Sequence, residues 1–190
     1  MTAHTPAKAP VLTSDTTFIA EPVHEETPRH RAYRFMMAAT RLALGWVFLW
    51  AFLDKTFGLG HETPTDGAWI NGGSPTEGFL ANAPTGPFAD FYKDIAGATW
   101  ADWMFMAGLA GIGIALVLGV AMRIAAVSGA LLLVMMWTAV LPPENNPVID
   151  DHIVYALVLG VLAHASANKT LGLGRVWERI PLVARYGFLK

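Results

Sequence analysis

Three stretches of this chain run for about the length of a membrane crossing with almost no charge. "FMMAATRLALGWVFLWAFL" (35–53) holds one charged residue, Arg41, while "WMFMAGLAGIGIALVLGVAM" (103–122) and "IAAVSGALLLVMMWTAVL" (124–141) hold none. A helix rises about 1.5 Å per residue, so about 20 residues cross the hydrocarbon layer. "IVYALVLGVLAHASA" (153–167) is shorter and reaches spanning length only if it begins near Val148. The whole composition agrees with lipid as the main solvent: 54% of the 190 residues are hydrophobic and 15% charged. A soluble domain carries about 25% charged residues, and the mean hydropathy here is +0.41. The expected fold class is an all-α membrane protein, a four-transmembrane-helix bundle with spans at about 35–57, 101–122, 124–141 and 149–167.

The order of charges predicts the orientation. Lys8, Arg29, Arg31 and Arg34 precede the first span, Arg123 sits between the second and third, and Lys169, Arg175, Arg179, Arg185 and Lys190 follow the fourth. Basic residues gather on the cytoplasmic side, so both termini are expected in the cytoplasm. The first 33 residues are polar and poor in aromatics, the pattern of a disordered tail, and without an early apolar segment a cleaved signal peptide is not expected. Residues 34–168 form the expected transmembrane domain, and 169–190 an amphipathic basic tail at the cytoplasmic membrane surface. The segment 58–100 is too long for an ordinary connection and too aromatic for a disordered one. It is expected to fold as an extracytoplasmic cap between the first and second helices, with "NGGSP" (71–75) supplying turns and Phe88, Phe91, Tyr92 and Ile95 on one helix face. Small residues spaced by four (Gly111, Ala115 and Gly119; Ala125 and Gly129; Ala156 and Gly160) predict close helix packing.

Few residues can carry chemistry. The absence of cysteine excludes disulfides, thiolate-bound clusters and a persulfide carried on this chain. His152 and His164 are about 18 Å apart along one helix and cannot share a metal; no metal or haem site is expected, and nothing points to nucleic acid. Arg41, about 9 Å into the first span at the standard helical rise, either snorkels to the headgroups or anchors a polar ligand or a carboxylate. Asp54 and Lys55 form either an exposed helix-end pair or, for Asp54, a proton-shuttling carboxylate of raised pKa. Asp150 and Asp151 suit a helix start. His152 does not, since its charged form is disfavoured there; with Tyr155 one turn deeper and Asp151 beside it, it suggests an acid/base site.

Four stretches together, "FLDKTFGLG", "AWINGGSPTEGFL", "GLAGIGIALVLGVAMRIAAVSGALLLVMMW" and "LPPENNPVIDDHIVYALVLG", resemble the DoxX/DoxD family over about residues 40–175. The likeness is closest to actinobacterial members described as large subunits of a thiosulfate:quinone oxidoreductase. It implies a bacterial cytoplasmic-membrane protein in redox or respiratory metabolism, with a quinone (menaquinone or ubiquinone) as substrate and a partner redox subunit, and leaves a homo-oligomer open. On that implication Asp54, Asp151 and His152 exchange the protons. Arg41, Lys55, Asn71, Gly72, Gly73, Ser74 and Tyr155 bind quinone or anion, the 71–74 turn through backbone donors. The alternative is a non-catalytic membrane subunit that docks or stabilises a redox complex.

Overall fold

A computed structural model describes residues 27–190, and among them it contains helices and turns with no strand. The predicted 1–33 tail therefore lies outside the described residues up to position 26, and its last residues are helical. Helix α1 (Pro28–Phe57) starts seven residues before the apolar run because Thr27 caps it, its hydroxyl accepting from the His30 amide at 3.3 Å, with Pro28 at the first position. A hydroxyl N-cap followed by proline is a strong start signal, so the basic run 29–34 becomes its first turns. Gly58 ends the helix at φ 63°, where a Cβ would lie 2.7 Å from the Pro64 carbonyl oxygen.

The connection that follows is built of single 3-10 turns and two six-residue helices, α2 (Glu77–Asn82) and α3 (Ala89–Asp94). It is tied to the end of the third long helix. The Thr85 amide donates to the Ala139 carbonyl at 3.0 Å, and the buried Tyr92 hydroxyl donates to the Met135 carbonyl at 2.9 Å. Phe88 and Phe91 remain exposed, so the expected four-residue apolar face reduces to the half-buried Ile95 and to Tyr92, whose polar tip finds a carbonyl.

Helices α4 (Thr99–Leu118) and α5 (Met122–Ala139) are joined by a turn with Gly119 at φ 70° and Ala121 at φ 48°. Helix α6 (Asp151–His164) has 14 residues. At about 1.5 Å per residue it covers about 21 Å, less than the predicted 149–167 span, because the chain leaves helix at Ala165. Among the described residues three helices, α1, α4 and α5, are long and apolar enough to cross a membrane, which makes this a multi-pass membrane protein.

Helix α1 packs chiefly on α4, α5 on α6, and α4 on α5. Leu44, Phe48, Met106, Ile112, Leu133 and Leu159 belong to the core between them. Glycines set the closest approaches. A Cβ on Gly113 would lie 2.8 Å from the Leu49 amide nitrogen, and one on Gly45 2.9 Å from the Leu116 Cβ. Gly129 fits the four-residue stripe as expected, tight against Leu159, whereas Gly111 and Gly160 face open space. Trp46, Met104, Val127, Leu131 and Leu157 are exposed, as residues facing acyl chains would be.

The last segment folds back on the α4–α5 turn through α7 (Gly174–Trp177) and α8 (Pro181–Arg185). The Leu173 amide donates to the Leu118 carbonyl at 2.8 Å and the Arg123 amide to the Lys190 carbonyl at 3.0 Å. Val183 is buried, while Val176, Leu182 and Phe188 point outward. The tail is thus a folded piece docked to the bundle.

Candidate functional site

Arg41 is fully enclosed, at 0% exposure. Its Nη1 donates to the carbonyls of Leu116 and Val117, in the last turn of α4, and its Nη2 to those of Leu171, at 2.7 Å, and Thr170, at 3.4 Å. The last carbonyls of a helix lack intrahelical partners and form the negative end of its dipole, so they solvate the guanidinium without a carboxylate. Gly119 and Gly172 make the space: a Cβ on either would sit 3.1 Å from a guanidinium nitrogen. Arg41 is therefore buried in protein rather than snorkelled to the headgroups, and it clamps α4 to the tail. Arg34 adds to it by donating from Nε to the Thr170 hydroxyl at 3.0 Å.

Asp54 is also buried. Its carboxylate accepts from the amides of His61, Glu62 and Thr63 at 3.3, 3.1 and 2.9 Å. The geometry is that of a buried, loop-closing carboxylate rather than an exposed helix-end pair, because the Gly58 turn brings three consecutive amides back over the helix end. Asp54→Ala is expected to cost about 2 kcal/mol, with Asp54→Asn in between, measured as loss of melting temperature in detergent.

The 71–74 turn is likewise committed to its own fold. The Asn71, Gly72 and Gly73 amides donate to the carbonyls of Ala68, Trp69 and Ala68 at 2.9, 3.0 and 3.1 Å. Three of the four amides expected to cradle an anion are therefore already taken by turn carbonyls. The Ser74 hydroxyl donates at 2.8 Å to Asp102, which also takes the Thr76 amide and hydroxyl at 3.0 and 2.7 Å. Asp102, buried in the first turn of α4, was not singled out from sequence. Its only signal there was a carboxylate at the mouth of an apolar helix.

At the start of α6 the expected pairing shifts by one residue. Asp150 is the N-cap: one carboxylate oxygen accepts from the Ile153 amide at 3.3 Å and the other meets His152 Nδ1 at 2.8 Å. Asp151 Oδ1 is 3.6 Å from the same nitrogen and its side chain is 67% exposed, against 15% for Asp150. An N-cap side chain folds back over the first turn, which brings Asp150 rather than the predicted Asp151 onto the ring. A carboxylate on Nδ1 fixes the ring and its tautomer and leaves Nε2 to take or give a proton. Tyr155 lies half-buried against the apolar core. Oxygen and nitrogen atoms of Asp150, Asp151 and His152 fall within 4.8 Å of one another; helix capping accounts for Asp150.

Two recesses bear on these residues. A cavity of about 310 Å³ beside the end of α1 is walled by Lys55, Glu62 and Ser74 among others. An open groove of about 610 Å³ runs between Tyr33 and Leu157, Val161 and His164. His164, whose Nδ1 lies 2.8 Å from the Gly160 carbonyl, is at the far end of α6 from the Asp150–His152 pair. The structure thus brings Lys55 and Ser74 to one cavity, keeps Asp150 with His152, and shuts Arg41 and Asp54 into separate structural knots.

No curated protein and no solved structure matches this chain. The DoxX family model matches residues 36–142, more than half of the chain, from α1 through α5 and short of α6. By that match and by its three long apolar helices, the chain belongs to the DoxX family of integral membrane proteins.

Proposed function

We propose that the chain is the membrane subunit of a quinone-linked oxidoreductase, in which it handles protons and a partner subunit carries the electrons. In this reading α6 is the fourth crossing, both termini are cytoplasmic and the 58–98 connection caps the outer face. Menaquinone or ubiquinone approaches the start of α6, and thiosulfate is the donor the family resemblance suggests. The carrying observation is the Asp150–His152 pair, an imidazole held at 2.8 Å by a carboxylate at a helix mouth. Capping requires the aspartate and leaves the histidine unexplained.

The test is thiosulfate-dependent quinone reduction by membranes containing the chain and its co-purifying proteins. General acid–base catalysis contributes about 100-fold or more, so His152→Ala is expected to lower turnover by about that factor and Asp150→Asn by less. Activity unchanged in His152→Ala removes the pair from the mechanism. Absence of any such activity and of extractable quinone leaves the second reading, a non-catalytic subunit that docks a redox complex. That reading is favoured by the internal use of Arg41, Asp54 and Asp102 as structural anchors.

A further inference from the structure

The cavity at the end of α1 holds a cation whose counter-ion is badly placed. Lys55 is largely shut off from water, its side chain 16% exposed, yet its carboxylate partner Glu62 is 81% exposed at 3.5 Å. A carboxylate out in water attracts a lysine only weakly, because water screens the charge and holding both long side chains in place costs entropy. The ammonium nevertheless fronts a recess of about 310 Å³ walled by Lys55, Glu62, Thr63, Ser74, Gly78 and Phe79. That volume lies at the small end of the range for ligand pockets, about 300–1,000 Å³. A Cβ on Gly78 would meet nothing within 4 Å, so the wall there is open. The Glu62 main chain is pinned independently of its side chain, its amide donating to Asp54 at 3.1 Å. The carboxylate can swing out without disturbing the loop.

We infer that this cavity is a binding site for a small anion, a carboxylate or oxyanion, which takes the place of the Glu62 carboxylate on Lys55. Lys55 supplies the charge, Phe79 the apolar wall, and Glu62 acts as a built-in competitor that keeps the ammonium partnered when the site is vacant. The inference deepens the anion-binding role that the family resemblance implies for Lys55, and its test stands apart from the quinone reading, since it reads neither His152 nor electron transfer. The same anionic chemistry comes from a dissolved ion or from a lipid headgroup at the membrane surface.

The test is the melting temperature of the purified chain at constant ionic strength as chloride is replaced by sulfate or by acetate. A second arm uses nanodiscs with and without phosphatidylglycerol. The parent is expected to show saturable stabilisation by at least one of these anions. In Glu62→Gln, with the internal competitor gone, half-saturation should fall about tenfold, the scale of one charge-assisted contact. Lys55→Met should abolish the response. Gly78→Phe, which places a ring at the open wall and leaves every charge intact, should weaken it and guards against a folding defect in Lys55→Met. Response in the nanodisc arm alone, lost in Lys55→Met, identifies the headgroup as the anion. No saturable response in either arm, a Lys55→Met response equal to the parent's, or weaker binding in Glu62→Gln would each overturn the assignment.

Discussion

Arg41→Ala is expected to be the most damaging single substitution in the chain, costing about 3–5 kcal/mol, from several buried carbonyls left without a donor and the void of a large side chain. The loss has three parts. The Leu116 and Val117 carbonyls lose the donor that satisfies the end of α4. The Leu171 carbonyl loses its bond of 2.7 Å, and a void opens where a fully buried side chain stood. Buried carbonyls left without donors are each costly, and the tail has fewer ties to the bundle. Trypsin should therefore cut the variant at Lys169 or Arg175 under conditions that leave the parent intact, and its melting temperature in detergent should fall. Arg41→Lys keeps the charge but offers one nitrogen where the two segments require two, so it should fall between. A tail equally protected in Arg41→Ala would show that the clamp does not hold it.

Gly113→Val should come second, at about 2–3 kcal/mol, the upper part of the usual cost of overpacking. The added carbon would meet the main chain of α1 at Leu49, with contacts of 2.8 and 3.0 Å, and a backbone cannot step aside as a side chain end can. Gly45 makes the converse contact, 3.0 Å from the Val117 amide nitrogen, so the two antiparallel helices press a glycine into each other. Forcing them apart also moves Leu116 away from Arg41, so Gly113→Val and Arg41→Ala should couple and fail to add. Gly111→Val and Gly160→Val, both pointing into open space, serve as controls and should melt close to the parent. Equal melting of Gly113→Val and Gly111→Val would refute this packing.

These glycines show where sequence reading succeeds and where it stops. Uncharged length alone located α1, α4 and α5, because lipid imposes it on any crossing helix. Spacing by four found the stripe containing Gly129, but cannot tell a face against protein from one against lipid; hence Gly111 was expected inside and Gly45 and Gly113 were missed. The same limit governs the polar groups. Arg41 stood out as a charge inside an apolar run and Asp54 as a charge at a helix end, but their partners are main-chain groups, and those carry no sequence signal. Arg41 reaches carbonyls 129 and 130 residues away; Asp54 closes on amides seven to nine residues on. Asp150 rather than Asp151 takes His152 because of cap geometry, which a run of two aspartates leaves undecided.

The reach of Arg41 also sets a timetable for biogenesis. Half of its carbonyl cage belongs to Thr170 and Leu171, which are made long after α1 leaves the ribosome. At about 5–20 residues per second, those carbonyls arrive roughly 6–26 s later. During that interval the first helix carries an arginine whose placement in bare hydrocarbon costs a few kcal/mol or more. It must wait at the membrane surface, within the insertion machinery, or half-clamped on α4. A chain truncated before residue 170 would never leave that waiting state, and quality-control proteases would meet it with its charge still unsettled.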